Sequence, residues 1–126
     1  MSERDEGFLG DMLEIADKIL LRAHGIPRDD YDADEDRQIV FTHLVQLIGE
    51  AASRISPETR VAHPEVAWKQ IVGTRHRIVH DYLHVDTDIL WEIVTTHVPQ
   101  LHDQLVAILQ ADSNEASDDQ SDEQNA

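Results

Sequence analysis

The sequence predicts an all-α fold, an antiparallel bundle of about four to five helices. Three observations point there. Apolar residues recur at spacings of three and four, the periodicity of one helix face. Gly, Pro and capping residues punctuate those runs at helical lengths. No apolar–polar alternation bounded by hairpin turns occurs anywhere in the 126 residues.

The first helix carries Phe8, Leu9, Met12, Leu13, Ala16, Ile19, Leu20 and Ala23, and Gly25 followed by Pro27 stops it. A polar linker, PRDDYDADED, supplies an N-cap for a second, long helix whose stripe is Ile39, Val40, Leu44, Leu47, Ile48, Ala51 and Ala52 and which ends before Ser56-Pro57. Pro64-Glu65 reads as the first turn of a third helix bearing Trp68, Ile71, Val72, Arg75, Ile78 and Val79. A fresh start at Asp86-Thr87-Asp88 opens a fourth, with Ile89, Leu90, Ile93, Val94, Leu101, Leu105, Ile108 and Leu109, and Pro99 is expected to kink it. Gly49 and Gly73 weaken their helices, and close helix approach is the expected reason for both. From Ala111 the chain reads ADSNEASDDQSDEQNA, without a large apolar residue. The expected organisation is a helical domain over residues 1–110 and a disordered acidic tail over 111–126.

Composition narrows the chemistry. With no cysteine, disulfides, thiolate metal sites and Cys nucleophiles are excluded together. No run of about 18 apolar residues suggests a membrane helix, and the charged start MSERDEGFLG does not read as a secretory signal, so a cytoplasmic location is expected. The formal net charge is -16, and Lys18 and Lys69 are the only lysines. A Lys-poor acidic surface suits a cell of very high internal salt, where repulsion is screened over a few ångströms, and a halophilic archaeal source is the expectation. The same balance argues against a general nucleic-acid coat protein, which spreads Lys and Arg over a face.

Against that background one stretch is anomalous: Gly73 to Tyr82, GTRHRIVHDY, gathers Arg75, His76, Arg77, His80 and Tyr82. A histidine near neutrality can take a proton from a ribose 2′-hydroxyl or give one to a leaving oxygen, and an arginine offers a planar fork of donors to phosphorane-like charge. Together they suit metal-free cleavage of an RNA phosphodiester, leaving a cyclic phosphate and a 5′-hydroxyl. On one regular helix Arg75 and His80 would lie roughly 140° apart, so either the helix loosens near His80 or two copies of the motif meet across a symmetric dimer. Two plainer readings stand beside this one. The basic residues could merely cover a solvated helix face and favour its C-terminal dipole, or His76, His80 and His84, at i, i+4 and i+8, could share a face and hold a metal, although no Glu completes an HExxH pattern. Trp68 and Trp91 read as core, and His24, His43, His63, His97 and His102 as surface or cap residues. Glu50 either orients a motif arginine or is simply exposed.

The run Arg75-His76-Arg77-Ile78-Val79-His80-Asp81-Tyr82 resembles the signature of the HepT-like toxins of the HEPN superfamily: Arg, a polar residue, three more, His, any residue, Tyr. The flanking segments IGEAASRIS, HPEVAWKQIVGTR and HVDTDILWEIVTTHVPQL are similar in the same order, so the resemblance spans roughly residues 8–110. It implies a HEPN-type helical homodimer with facing motifs in a shared cleft. It also implies a metal-independent endoribonuclease, needing no cofactor, that is the toxin of a toxin–antitoxin pair, with RNA as substrate. The implied antitoxin is an MntA-like nucleotidyltransferase that transfers AMP to the motif tyrosine, Tyr82. By the same resemblance Arg75 binds the scissile phosphate and His80 transfers the proton. His76 fills a position where Asn is commoner; Arg77 is added on its charge alone. A catalytically silent HEPN module that partners a nucleotidyltransferase and binds nucleotide or RNA is the alternative.

Overall fold

A computed structural model of the chain describes the backbone of residues 1–81 and 84–125 and the side chains of 1–79 and 84–115. It is an all-α bundle. Helix α1 (Glu3–Ala23) is capped by Ser2, whose hydroxyl accepts from the Asp5 N–H at 3.1 Å, and buries Leu9, Met12, Ala16 and Ile19 at helical spacing. It packs against both α3 (Glu35–Ser53) and α8 (Val98–Asn125). The hydrophobic core lies between these three, with Phe41, Leu44, Val45, Ile48 and Ala52 from α3 and Leu101, Leu105 and Ile108 from α8.

Several expectations about the second helix are corrected. Its stripe is too wide for one buried face: Ile39, Val40 and Leu47 point outward, and Phe41 and Val45 fill the core instead. The polar linker before it contains a one-turn helix, α2 (Arg28–Asp32), because Tyr31 is an anchor. Its ring is fully buried beside Trp91 (centroids 4.8 Å apart), and its hydroxyl donates to the Thr87 carbonyl at 2.7 Å. Asp34 then caps α3 by accepting from the Arg37 N–H at 3.0 Å.

The region predicted as the third helix, from Pro64 to Val79, holds two short helices, and a further short one precedes it. Ser56-Pro57 starts α4 (Pro57–Ala62), with Pro57 in the first turn where a missing N–H is harmless. Pro64-Glu65 lies in a turn rather than opening a helix, and α5 (Trp68–Val72) begins only at Trp68, whose indole N–H donates to the His63 carbonyl at 2.9 Å. After Gly73 the chain starts α6 (Thr74–Ile78), which ends where β1 (Val79–Asp81) begins. Strand β1 pairs antiparallel with β2 (His84–Val85), Val79 opposite Val85 and Asp81 opposite His84, with a bulge between. This small ribbon is strand where the sequence predicts helix end.

Asp86 caps α7 (Thr87–Glu92) as expected, its carboxylate accepting from the Ile89 N–H at 3.0 Å. The chain then passes through one π-helical turn, Ile93–His97, into α8. Pro99 lacks the N–H that a regular helix would need, and the proline is accommodated by this wide turn just upstream. The Val98 N–H donates to Ile93, five residues back, and the Thr95 hydroxyl donates to the Trp91 carbonyl at 2.7 Å. The backbone of α8 is helical to Asn125, and the side chains of 116–126, most of the acidic tail, lie outside the described residues. No described helix is long and apolar enough to cross a membrane.

Candidate functional site

The position of the basic cluster follows from one glycine. A Cβ on Gly49 of α3 would stand 3.0 Å from the Ile71 carbonyl oxygen, so α5 can lie this close only because residue 49 has no side chain. Close helix approach, the expected role, therefore holds for Gly49. It does not hold for Gly73, where a Cβ would meet carbonyls of its own preceding turn, Lys69 at 3.2 Å and Gln70 at 3.9 Å. Gly73 instead ends α5, its N–H donating to the Lys69 carbonyl at 3.0 Å.

Helix α6 is fixed at both ends. Thr74 is buried and its hydroxyl donates to the Gln70 carbonyl at 2.9 Å; Ile78, one turn on, is fully buried in the core. The three residues between them, Arg75, His76 and Arg77, are exposed. A single helical turn nailed down by its first and last residues thus presents three nitrogen-rich side chains outward. Arg75 and Arg77, two residues apart, project to opposite sides of the turn. Arg75 lines a groove of ≈ 400 Å³ with His43, Leu47, Gly49, Glu50 and Val72, whereas Arg77 lines a second hollow on the other flank; Thr74 borders both. No described carboxylate pairs with Arg75 or Arg77 within 4.0 Å. Glu50, at the edge of the Arg75 groove, is exposed and pairs with Arg54 at 3.0 Å, one turn along its own helix.

The helix ends at Ile78, so His80 lies in the extended segment β1 and the roughly 140° separation of a regular helix does not apply. The helix face on which His76, His80 and His84 would align for a metal is also absent, since His76 is on α6, His80 on β1 and His84 on β2. Among the described residues no group of three His, Cys, Asp or Glu side chains could hold a metal ion. The side chains of His80 and Asp81, and Tyr82 altogether, lie outside the described residues.

The remaining candidates fall out as structure. Trp68 is buried and Trp91 half-buried against Tyr31. His24 and His63 follow α1 and α4 as caps, His43 and His97 are exposed, and His102 is half-buried with its Nε2 3.0 Å from Asp17. Sequence reasoning missed the Arg28–Tyr31–Trp91 cluster, in which the Arg28 guanidinium lies 5.6 Å from both ring centroids and pairs with Asp32 and Asp88. The available signal was Tyr31 itself, the one large ring in an otherwise polar linker. It missed Asp5 as well, an acid at a helix N-terminus that the pattern alone assigns to solvent.

Comparison with known proteins identifies the relatives of this chain. The family model described as "HepT-like: Ribonuclease HepT-like" matches residues 12–108. The chain is 32% identical to "Putative RNase TTE0752" of Caldanaerobacter subterraneus, over 82% of this chain and 92% of that protein. It is 32% identical to "Putative RNase MJ1380" of Methanocaldococcus jannaschii (80% and 94% covered) and 28% identical to "Probable ribonuclease HepT" of Thermococcus cleftensis (80% and 92% covered). No solved structure matches significantly. With a helical domain matched along nearly its whole length and the basic turn inside the matched region, the chain belongs to the HepT-like ribonuclease family.

Proposed function

We propose that this protein is a metal-independent endoribonuclease, the toxin of a toxin–antitoxin pair, acting at a cleft that two copies of the chain form together. The observation that carries this reading is the outward-facing turn Arg75-His76-Arg77, followed at once by His80 and Tyr82, in a member of the HepT-like family. In the proposed reaction Arg75 holds the scissile phosphate. His80 takes the proton from the ribose 2′-hydroxyl, whose oxygen attacks phosphorus. The bond to the 5′-oxygen breaks, and that oxygen leaves with a proton returned by a protonated imidazole. Arg75 balances the charge that grows on the non-bridging oxygens. His76 and Arg77 support the site by adding positive potential in an acidic protein.

The homodimer is supported by the apolar surface around the Arg75 groove. Leu47 and Val72, which line it, are each 38% exposed, and Ile39, two turns back on α3, is 58% exposed. An exposed apolar patch beside a charged groove is the usual mark of a protein interface. The off switch we propose is transfer of AMP to Tyr82 by an MntA-like nucleotidyltransferase, whose added phosphate charge and bulk beside Arg75 and His80 exclude the RNA phosphate. A cytoplasmic location and a high-salt archaeal source accompany this reading, the latter supported by the net charge of -16. Unfolding on transfer to low salt is the expected behaviour, and full stability in dilute buffer would count against that source.

The deciding experiment is cleavage of RNA in high salt with EDTA by wild type and His80→Ala, on samples whose mass excludes AMP on Tyr82. Cutting by wild type alone, with cyclic phosphate ends, upholds the proposal. Absence of cutting by both replaces it with a HEPN module that partners a nucleotidyltransferase and binds nucleotide or RNA without cleaving it.

A further inference from the structure

The hollow on the Arg77 flank of α6, ≈ 460 Å³, is somewhat larger than the Arg75 groove, and the proposed chemistry does not use it. Its floor is apolar, formed by Ile71, Ile93, Val98 and Leu101. Its rim carries Gln70, Gln100, Arg77, Glu92 and Glu65, the last turned to His63 with its Oε1 3.4 Å from that ring's Nδ1. The amides of Gln70 and Gln100 have no hydrogen-bond partner among the described residues, and neither does the Arg77 guanidinium. The π-helical turn shapes one wall. In a regular helix Glu92 and His97, five residues apart, would diverge by roughly 140°; the wider turn brings them to one side, with Glu92 Oε1 3.6 Å from His97 Nε2.

We infer that this hollow takes a guanine base of single-stranded RNA next to the scissile phosphate, an assignment that rests on the ribonuclease reading above. Size and lining suit a flat heteroaromatic ring: the volume lies in the range of small-ligand pockets, with an apolar floor for the ring face and a few polar groups for its edge. Glu92 and Glu65 oppose Arg77 in charge, so the rim does not have the positive field that a phosphate would need. Location suits it too. Arg75 and Arg77 flank the same one-turn helix, so a strand with its phosphate on Arg75 has only to cross α6 to place a splayed base in the hollow, the usual way that RNA sequence is read. The choice among bases comes from Glu92. A carboxylate only accepts, and guanine alone among the RNA bases presents two adjacent N–H donors, N1 and N2, on its Watson–Crick edge. Its O6 is left to accept from Arg77 or a glutamine amide.

The test is equilibrium binding, in high salt with EDTA, of fluorescent oligoadenylate decamers carrying one central guanosine, inosine or adenosine to the full-length His80→Ala protein. The expected order is guanosine, then inosine, which lacks the N2 amine, then adenosine, with a gap of about tenfold between the first and last, as one bidentate base contact gives. Glu92→Gln, a substitution at an exposed position, should close most of that gap without weakening binding of the adenosine probe. Equal affinity for all three probes, or a preference that survives both Glu92→Gln and Gln100→Ala, overturns the assignment. So does displacement of the guanosine decamer by free GMP at equal affinity, which would make the hollow a nucleotide site. Cleavage by wild type without base preference removes the pocket and leaves the ribonuclease; discrimination without any cleavage removes the ribonuclease and leaves an RNA-binding pocket.

Discussion

Asp5 and Ser56 are joined twice: one carboxylate oxygen of Asp5 accepts the Ser56 N–H at 3.0 Å and the other accepts the Ser56 hydroxyl. The Thr59 hydroxyl adds a third bond at 2.6 Å, so a single buried carboxylate fastens the start of α1 to the start of α4. Burial alone would push the Asp5 carboxyl up, but the hydrogen bonds from Ser56 and Thr59 more than offset it and hold the group below its ordinary value of 3.8. The stability it contributes is therefore fully present above that value and is lost as pH falls through the lower folded-state value. Asp5→Ala should cost about 3 kcal/mol, because the Ser56 N–H and the buried Thr59 hydroxyl lose their acceptor. Asp5→Asn should cost less and flatten the acid limb of stability against pH. Chemical denaturation across acidic pH measures both.

Tyr31 should show the opposite dependence. Burial pushes its phenol up from 10.0 to about 12, so the folded state holds the proton more tightly than the unfolded chain. Stability is then lost as pH rises from 10 towards 12. Tyr31→Phe should remove this alkaline step while costing about 1 kcal/mol at neutral pH for the lost bond to Thr87. Phenolate absorbance against pH, compared with thermal melts, tests it.

Two glycines in helix interiors should respond with opposite sign. A Cβ on Gly10 has nothing within 4 Å, so Gly10→Ala should stabilise by about 0.5–1 kcal/mol through helix propensity and a less flexible unfolded chain. At Gly49 the Ile71 carbonyl must move, and Gly49→Ala should lose about 1 kcal/mol net. If α5 shifts with it, so does the α6 turn, and RNA cleavage should fall more than stability does.

Leu47→Asp tests the shared cleft. Leu47 is exposed on the single chain, so the substitution should leave the melting temperature of the monomer near that of wild type. If the groove lies at a dimer interface, sedimentation should show dissociation and cleavage should drop at least tenfold. An unchanged oligomeric state with full activity would place the interface elsewhere.

Much of the fold was legible because periodicity reports burial. Leu9, Met12, Ala16 and Ile19 announce α1, and Asp86 announces α7 by its capping position alone. The third helix misled because its pieces share one apolar rhythm: a local bond from Trp68 to the His63 carbonyl marks its later start, and Gly73 divides it. For the site, the sequence points to the residues but not to their arrangement. That Arg75 and Arg77 open onto different hollows depends on Thr74 and Ile78 both turning inward, and neither residue type is compelled to do so. The floor beneath Arg77 depends on a π-helical turn whose only sequence sign is Pro99, which reads equally well as a kink.

The Asp86 N–H donates to the Ile78 carbonyl at 2.7 Å, so the last residue of α6 and the cap of α7 are bound to each other across the intervening seven residues. The two helices are thus closed into one frame by a bond that His80 and Tyr82 do not share. Substitutions of His80 or Tyr82, to which the proposed chemistry and modification fall, should leave this backbone bond in place, whereas Val79 and Val85 pack against the core and belong to the frame. Under the proposed reading, the chemistry at His80 and Tyr82 can be retuned or silenced while the bundle stays the same.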